Sequence, residues 1–134
     1  MEKKREIIYK KFNGRCAYCG RKIAYNKMEI DHIIPKSRFQ ELTKNKRHYL
    51  PYFLQHLTEK DVNHIDNLYP CCSYCNDIKE DKTIFEFRNA IKHQISLLNR
   101  YVANYKIAKT FRLIVELDND VKFYFEKQKK HTKD

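Results

Sequence analysis

The sequence has no run of about 18 apolar residues of the kind that spans a bilayer as a helix, and its first residues, M-E-K-K-R-E, lack the apolar centre of a secretion signal. These absences exclude a helical membrane protein and lead to the expectation of a soluble, intracellular, cytoplasmic chain. Acidic residues are also in short supply. Seventeen Asp and Glu face 28 Lys and Arg, leaving a net charge of +11. Such an excess points to a polyanionic partner, with nucleic acid ahead of an anionic membrane surface. No linker splits the chain, so its 134 residues are expected to form one domain, close to the size at which a covalent or metal staple helps.

Cysteine supplies the candidate staple. In a reducing compartment its five cysteines are metal ligands or idle thiols rather than disulfides. The segment C-A-Y-C-G holds Cys16 and Cys19, and P-C-C-S-Y-C-N repeats the spacing with Cys72 and Cys75. Two C-x2-C knuckles match tetrahedral zinc. Four thiolates close the coordination sphere, so the ion is expected to be structural and to join two distant parts of the chain. Redox use of the pairs is the competing reading, but no βαβ pattern surrounds either one. Cys71 is read as a small buried apolar residue.

The remaining elements follow from periodicity. Ile7, Ile8 and Phe12 fall at helical offsets in a short basic helix that Asn13-Gly14 ends. Residues 28–31 read as a strand stopped by Pro35. Within an insert spanning residues 38–63, Leu50, Phe53, Leu54 and Leu57 predict a short amphipathic helix. Beyond residue 82, Thr83 and Glu86 form a capping box. Phe87, Ile91, Ile95, Leu98, Val102 and Tyr105 then form one stripe of a long helix. Alternation over Phe111 to Leu117 and Val121 to Phe125 predicts a β-hairpin, and residues 128–134 a disordered tail.

Zinc at both knuckles would draw Asp31 and His32, in E-I-D-H-I-I-P-K-S, toward Asn67 and Asn76. Neighbours on a strand point to opposite faces, so Asp31 and His32 would approach a substrate from two directions. Asp31 and Asn76 offer the hard oxygens that Mg²⁺ or Mn²⁺ accepts, and an imidazole takes a proton from water near neutral pH. Together these residues describe phosphodiester hydrolysis. Lys36 and Arg38 suit phosphate contact or a solvated face equally, and Lys79, on the helical run of Asn76, poses the same choice.

C-x2-C, then D-H-I-I-P, then D-N-L, then C-x2-C-N-x2-K resembles an HNH endonuclease over residues 14–82. The resemblance implies an α+β fold: a small zinc-stabilised ββα-metal finger. The N-terminal helix precedes it, and the long C-terminal helix and terminal β-hairpin, residues 83–127, follow it. It further implies that His32 is the general base, that Asp31 and Asn76 hold one Mg²⁺, and that Asn67 braces the loop. Asn76 stands where many members carry histidine, and the separation of His32 from Asn67 requires residues 38–63 to loop out. The long helix followed by F-R-L-I-V-E-L and V-K-F-Y-F-E resembles the tail of small stand-alone phage-encoded HNH proteins. Monomer and homodimer are both consistent with the sequence. Two other readings stay open: a non-catalytic zinc module that binds nucleic acid by charge, and a zinc-stabilised protein-interaction domain using the helix stripe.

Overall fold

The computed structural model describes residues 2–128. These fall into two compact units, one carrying the chain up to Ile84 and again from Lys122, the other Phe85–Val121. The expected segment 83–127 is therefore divided between the units. Of the expected tail, Gln128 sits in a turn and residues 129–134 lie outside the described residues. Among the described residues no helix is long and apolar enough to cross a membrane.

The first unit starts with helix α1 (Glu2–Lys10), which buries Ile8 and leaves Ile7 half exposed. Its basic residues act as ties. Arg5 donates to the carbonyls of Tyr25 (2.7 Å) and Met28 (2.9 Å), and Lys11, just past the helix, donates to those of Ile65 (2.6 Å) and Leu68 (2.9 Å). Asn13 and Gly14 end α1 with φ of 55° and 78°. Gly14 is required there, because a Cβ would stand 2.8 Å from the Tyr9 hydroxyl.

Strand β1 (Glu29–His32) pairs antiparallel with β2 (Leu68–Cys71), setting Glu29 opposite Cys71 and His32 opposite Leu68. Helix α3 (Ser73–Lys79) follows β2 directly. The first unit thus presents a two-stranded sheet followed by a helix. The segment between the strands holds a helix that the sequence reading missed, α2 (Lys36–Asn45), which buries Phe39, Leu42 and Thr43. The amphipathic helix expected over residues 50–57 is reduced to a single 3-10 turn, Tyr52–Leu54. Arg47 accounts for the difference: its guanidinium takes the carbonyls of Thr43 (2.9 Å), Leu57 (2.9 Å) and Gln55, so these oxygens are satisfied without a helical ladder. Leu50, Leu54 and Leu57 are buried all the same.

The chain returns to this unit at its far end. The amides of Tyr124 and Phe125 donate to the carbonyls of Tyr18 (3.0 Å) and Ala17 (2.8 Å), inside the first cysteine knuckle. There Phe123 and Phe125 join Tyr18, Tyr69, Phe53 and Phe12 in an aromatic cluster of mostly edge-to-face pairs 5 to 6.5 Å apart. Helix α7 (Tyr124–Lys127) stands where the second hairpin strand was expected.

The long helix is broken in three: α4 (Ile84–Lys92), α5 (Gln94–Tyr101) and α6 (Ala103–Thr110). The sharper break is at Val102, whose φ of −115° and ψ of 101° are extended. A β-branched residue gives up little by leaving a helix, and the Val102 carbonyl accepts the Tyr105 and Lys106 amides that open α6. Within this second unit, Glu116 accepts from Asn99 (2.7 Å), Tyr105 (3.0 Å) and Lys109 (3.0 Å). The predicted hairpin is absent. Residues 114–123 carry no strand, and Leu113, Val115 and Leu117 are 70 to 79% exposed. Alternation yields a strand only when one face is covered, and a lone ribbon is marginal in water.

Leu54 is fully enclosed although it lies in the irregular insert. Leu54→Ala should therefore cost about 2–5 kcal/mol in a urea melt. A loss below about 0.5 kcal/mol, typical of surface positions, would contradict this packing.

Candidate active site

Four thiols meet between the two knuckles. Cys16, Cys19, Cys72 and Cys75 have sulfurs within 4.8 Å of one another, and Cys19 and Cys72 are 3.8 Å apart. Tetrahedral zinc with bonds of about 2.3 Å needs sulfur separations of about 3.8 Å, so the group fits such an ion. The amides of Tyr18 and Cys75 each approach a ligand sulfur at 3.4 Å, on Cys16 and Cys72, and Arg21 donates to Cys19 at 3.1 Å. Hydrogen bonds from the Cys71 and Cys75 thiols hold the Cys16 thiol far below its ordinary range, and the same sharing raises Cys71 and Cys75. A dication held by the four sulfurs would displace their thiol protons. Cys71 is buried and stands outside the four.

Gly20 closes the first knuckle with φ of 81°, its amide reaching back to the Cys16 carbonyl at 3.0 Å. The second knuckle opens α3, for which Cys72 is the N-cap. Because α3 lies against β1, residues three apart on the helix meet residues two apart on the strand. Asn76 donates to the Glu29 carboxylate at 2.6 Å, and Lys79 approaches Asp31 at 3.2 Å. Glu29 and Asp31 share one face of β1.

Asp31 is buried, and the Tyr18 hydroxyl donates to its carboxylate at 2.5 Å. Burial pushes its carboxyl above the ordinary value, while the Lys79 charge and the Tyr18 hydroxyl pull it back down. Burial, with the neighbouring Asp31 charge, drives the Tyr18 phenol well up. Lys79 has no exposed surface. Its ammonium donates to Asp31 and to the carbonyls of His32 (3.1 Å) and Ile33 (3.3 Å). The reading of Lys79 as a phosphate contact or a solvated side chain is corrected: its donors are spent inside the protein.

The His32 imidazole leaves β1 on the other side, half buried, with Nε2 2.8 Å from Oδ1 of Asn63. Asn67 is fully enclosed. Its Oδ1 accepts from the Ile34 amide (2.9 Å), and its Nδ2 donates to the carbonyls of Ile34 (3.2 Å) and Val62 (3.0 Å). Lys36 is exposed at the start of α2, and Arg38 is half buried and donates to the Asp81 carbonyl at 3.3 Å.

The site therefore has two sides. The Glu29 carboxylate, bonded by Asn76, and the Asp31 carboxylate, bonded by Tyr18 and Lys79, lie on the face of β1 toward α3, and His32 stands at the strand end against Asn63. The two carboxylates and one amide are hard donors of the kind that suits Mg²⁺ or Mn²⁺, and a carboxylate already bonded to Tyr18 and Lys79 retains lone-pair capacity. Glu29, Tyr18 and Asn63 were missed from sequence. Alternation along the strand from Asp31 was signal enough for Glu29; nothing local marked the other two.

Removing the lysine isolates a buried carboxylate. Lys79→Met should destabilise the chain by about 3–5 kcal/mol at neutral pH. It also removes the largest influence that opposes burial at Asp31, so a carbon-13 titration should show the Asp31 midpoint moving to higher pH. Because that midpoint is raised, the contribution of Asp31 to stability is fully present below its unfolded value and is lost as pH rises through the folded one. The variant's deficit should accordingly shrink as pH falls. A deficit that is constant with pH would contradict the ion pair.

Residues 16–46 match the family model described as HNH endonuclease. The chain is also 29% identical over 85 residues to YoqL, an SPbeta prophage-derived protein of Bacillus subtilis (strain 168) whose name classes it with the HNH endonucleases. That alignment covers 63% of this chain and 31% of the relative, so the chain spans about a third of the relative's length. Among solved structures, the type II-C Cas9 enzyme of Actinomyces naeslundii is similar at 20% identity, with a TM-score of 0.44, over 82% of this chain and 10% of that one. The matched segment contains the first knuckle, Asp31 and His32, and the ordered motifs continue through the second knuckle to Asn76, so over this region the chain is similar to HNH endonucleases.

Proposed function

We propose that this chain is a metal-dependent DNA endonuclease that hydrolyses phosphodiester bonds with His32 as general base. The observation that carries this reading is the environment of His32. Its Nε2 faces an amide oxygen, which can only accept, so Nε2 carries the proton and Nδ1 keeps the lone pair. Asn63 thereby fixes both the tautomer and the ring plane, and is a positioning residue. Nδ1 takes a proton from the attacking water, which adds to phosphorus as the 3′ oxygen departs, leaving a 5′ phosphate on the product.

Glu29, Asp31 and Asn76 are the residues that would hold a divalent cation, Mg²⁺ or Mn²⁺. When bound, such an ion supplies positive charge against the phosphate and the leaving oxygen. Lys79 contributes from behind, fixing Asp31 and the carbonyl of His32 in one arrangement. Asn67 clamps the chain at Ile34 to the chain at Val62, so the loop carrying Asn63 is held near the end of β1. The net charge of +11 supports DNA as the substrate, and Lys36 and Arg38 at the start of α2 are the proposed phosphate contacts on that side.

Zinc in the four-cysteine group is proposed as the structural staple. Cys75→Ser should lose the bound metal in elemental analysis and abolish a cooperative melt, since filling such a site is coupled to folding. A zinc-free variant that melts cooperatively at the original temperature would contradict the staple.

Supercoiled plasmid tests the activity. Cleavage should require Mg²⁺ or Mn²⁺, stop with EDTA, and fall by about 10² to 10⁴ in His32→Ala, with DNA retention and melting unchanged. Full activity in that variant would overturn the assignment of the base. Salt-sensitive DNA retention with no cleavage under any divalent ion would favour the non-catalytic binding module instead.

A further inference from the structure

Two histidines and a carboxylate converge on the surface of the first unit, apart from the four cysteines. Nε2 of His56 lies 2.7 Å from Oδ2 of Asp66, and Nδ1 of His64 lies 3.8 Å from the same oxygen. One ligand atom from each residue falls within 4.8 Å of the other two, and the two imidazole rings stand edge to face with centroids 5.8 Å apart. Donors around a cation with bonds of about 2.0–2.2 Å are separated by about 3.0–3.5 Å, so modest side-chain rotation closes the set.

The backbone that carries these residues is fixed by buried neighbours. Leu57, beside His56, is fully enclosed, and so is Asn67, beside Asp66. His64 caps the 3-10 turn Ile65–Asn67 through its ring, and its amide donates to the Asp61 carbonyl at 2.9 Å. The surrounding charge is mixed. The Asp61 carboxylate interacts with both imidazoles, and the opposing charge near Asp66 is Lys11, whose ammonium is tied to the Ile65 and Leu68 carbonyls. Imidazole nitrogen with a single carboxylate is the donor set of late first-row divalent ions. It is softer than the all-oxygen set at Glu29, Asp31 and Asn76 and harder than four thiolates.

We propose that His56, His64 and Asp66 form a second metal site, which takes a divalent ion of the zinc and nickel class with positions left open for water. The ion replaces the proton shared by His56 and Asp66, which passes to buffer. If His64 binds through Nδ1, the ion also replaces the bond from the Asp66 amide. Asn63, the partner of His32, precedes His64 directly, so an ion here fastens the same loop that faces the imidazole.

The test uses the purified full chain, its metal content as isolated first measured by elemental analysis, titrated with Ni²⁺ in a calorimeter. With Mg²⁺ in large excess to occupy the oxygen site at Glu29, Asp31 and Asn76, one further equivalent that depends on His56 and Asp66 should bind. Both His56→Ala and Asp66→Asn should weaken it at least about tenfold without altering the metal content as isolated or the melt, since even outer-shell changes at metal sites cost 10- to 100-fold. Both side chains are about half exposed, so neither change should prevent folding. No uptake up to about 1 mM Ni²⁺, or wild-type affinity in either variant, would overturn the site and leave a surface ion pair. Because the readout is binding stoichiometry, the outcome is independent of whether the chain cleaves DNA.

Discussion

The geometry of this protein turns on an ammonium group with no access to water. Lys79 ends α3 with its Nζ enclosed among the Asp31 carboxylate and the carbonyls of His32 and Ile33, so the last turn of the helix is bolted to the last residues of β1. A charge in that position cannot be left unpaired, and it therefore dictates where Asp31 points. With Asp31 turned toward α3, strand alternation sends His32 the other way, to the loop that Asn67 holds in place. The cysteine cluster at the head of α3 and the ion pair at its tail thus bracket a single helix against a single strand.

What the sequence made legible was whatever depended on spacing. Paired cysteines with two residues between them announced their own convergence, and the run from Asp31 to Pro35 announced a strand end. The burial of Leu50, Leu54 and Leu57 was also readable, because apolar residues find the core whatever the backbone does. What could not be read was the backbone between them. Arg47 satisfies three carbonyls from a distance, and no periodicity encodes that. Lys79 misled for a similar reason: on a strongly basic chain a lysine reads as solvated, and only the placement of Asp31 shows it to be interior.

The second unit shows the limit of pattern more sharply. The apolar stripe from Phe87 to Tyr105 is continuous on a helical wheel, yet Val102 is extended and a new helix starts after it. Alternation from Phe111 to Leu117 is equally regular, yet those side chains have no covered face and no strand results. In both cases the pattern recorded a preference, and tertiary contact decided whether the preference was realised. The absence of Glu29 from the sequence reading has the opposite character. Its position two residues before Asp31 on the same strand is enough to place both carboxylates on one face.

The return of Phe123 and Phe125 to the knuckle of Ala17 and Tyr18 bears on how the molecule is made. A ribosome releases residues in order, and the aromatic cluster of the first unit stays incomplete until its last contributors emerge, some hundred positions after its first. Throughout that interval the rings of Tyr18 and Tyr69 lack their eventual covering. The nascent chain must therefore pass through a stage with its cysteine loops translated but its hydrophobic seal still inside the exit tunnel, a stage exposed to chaperones and proteases alike.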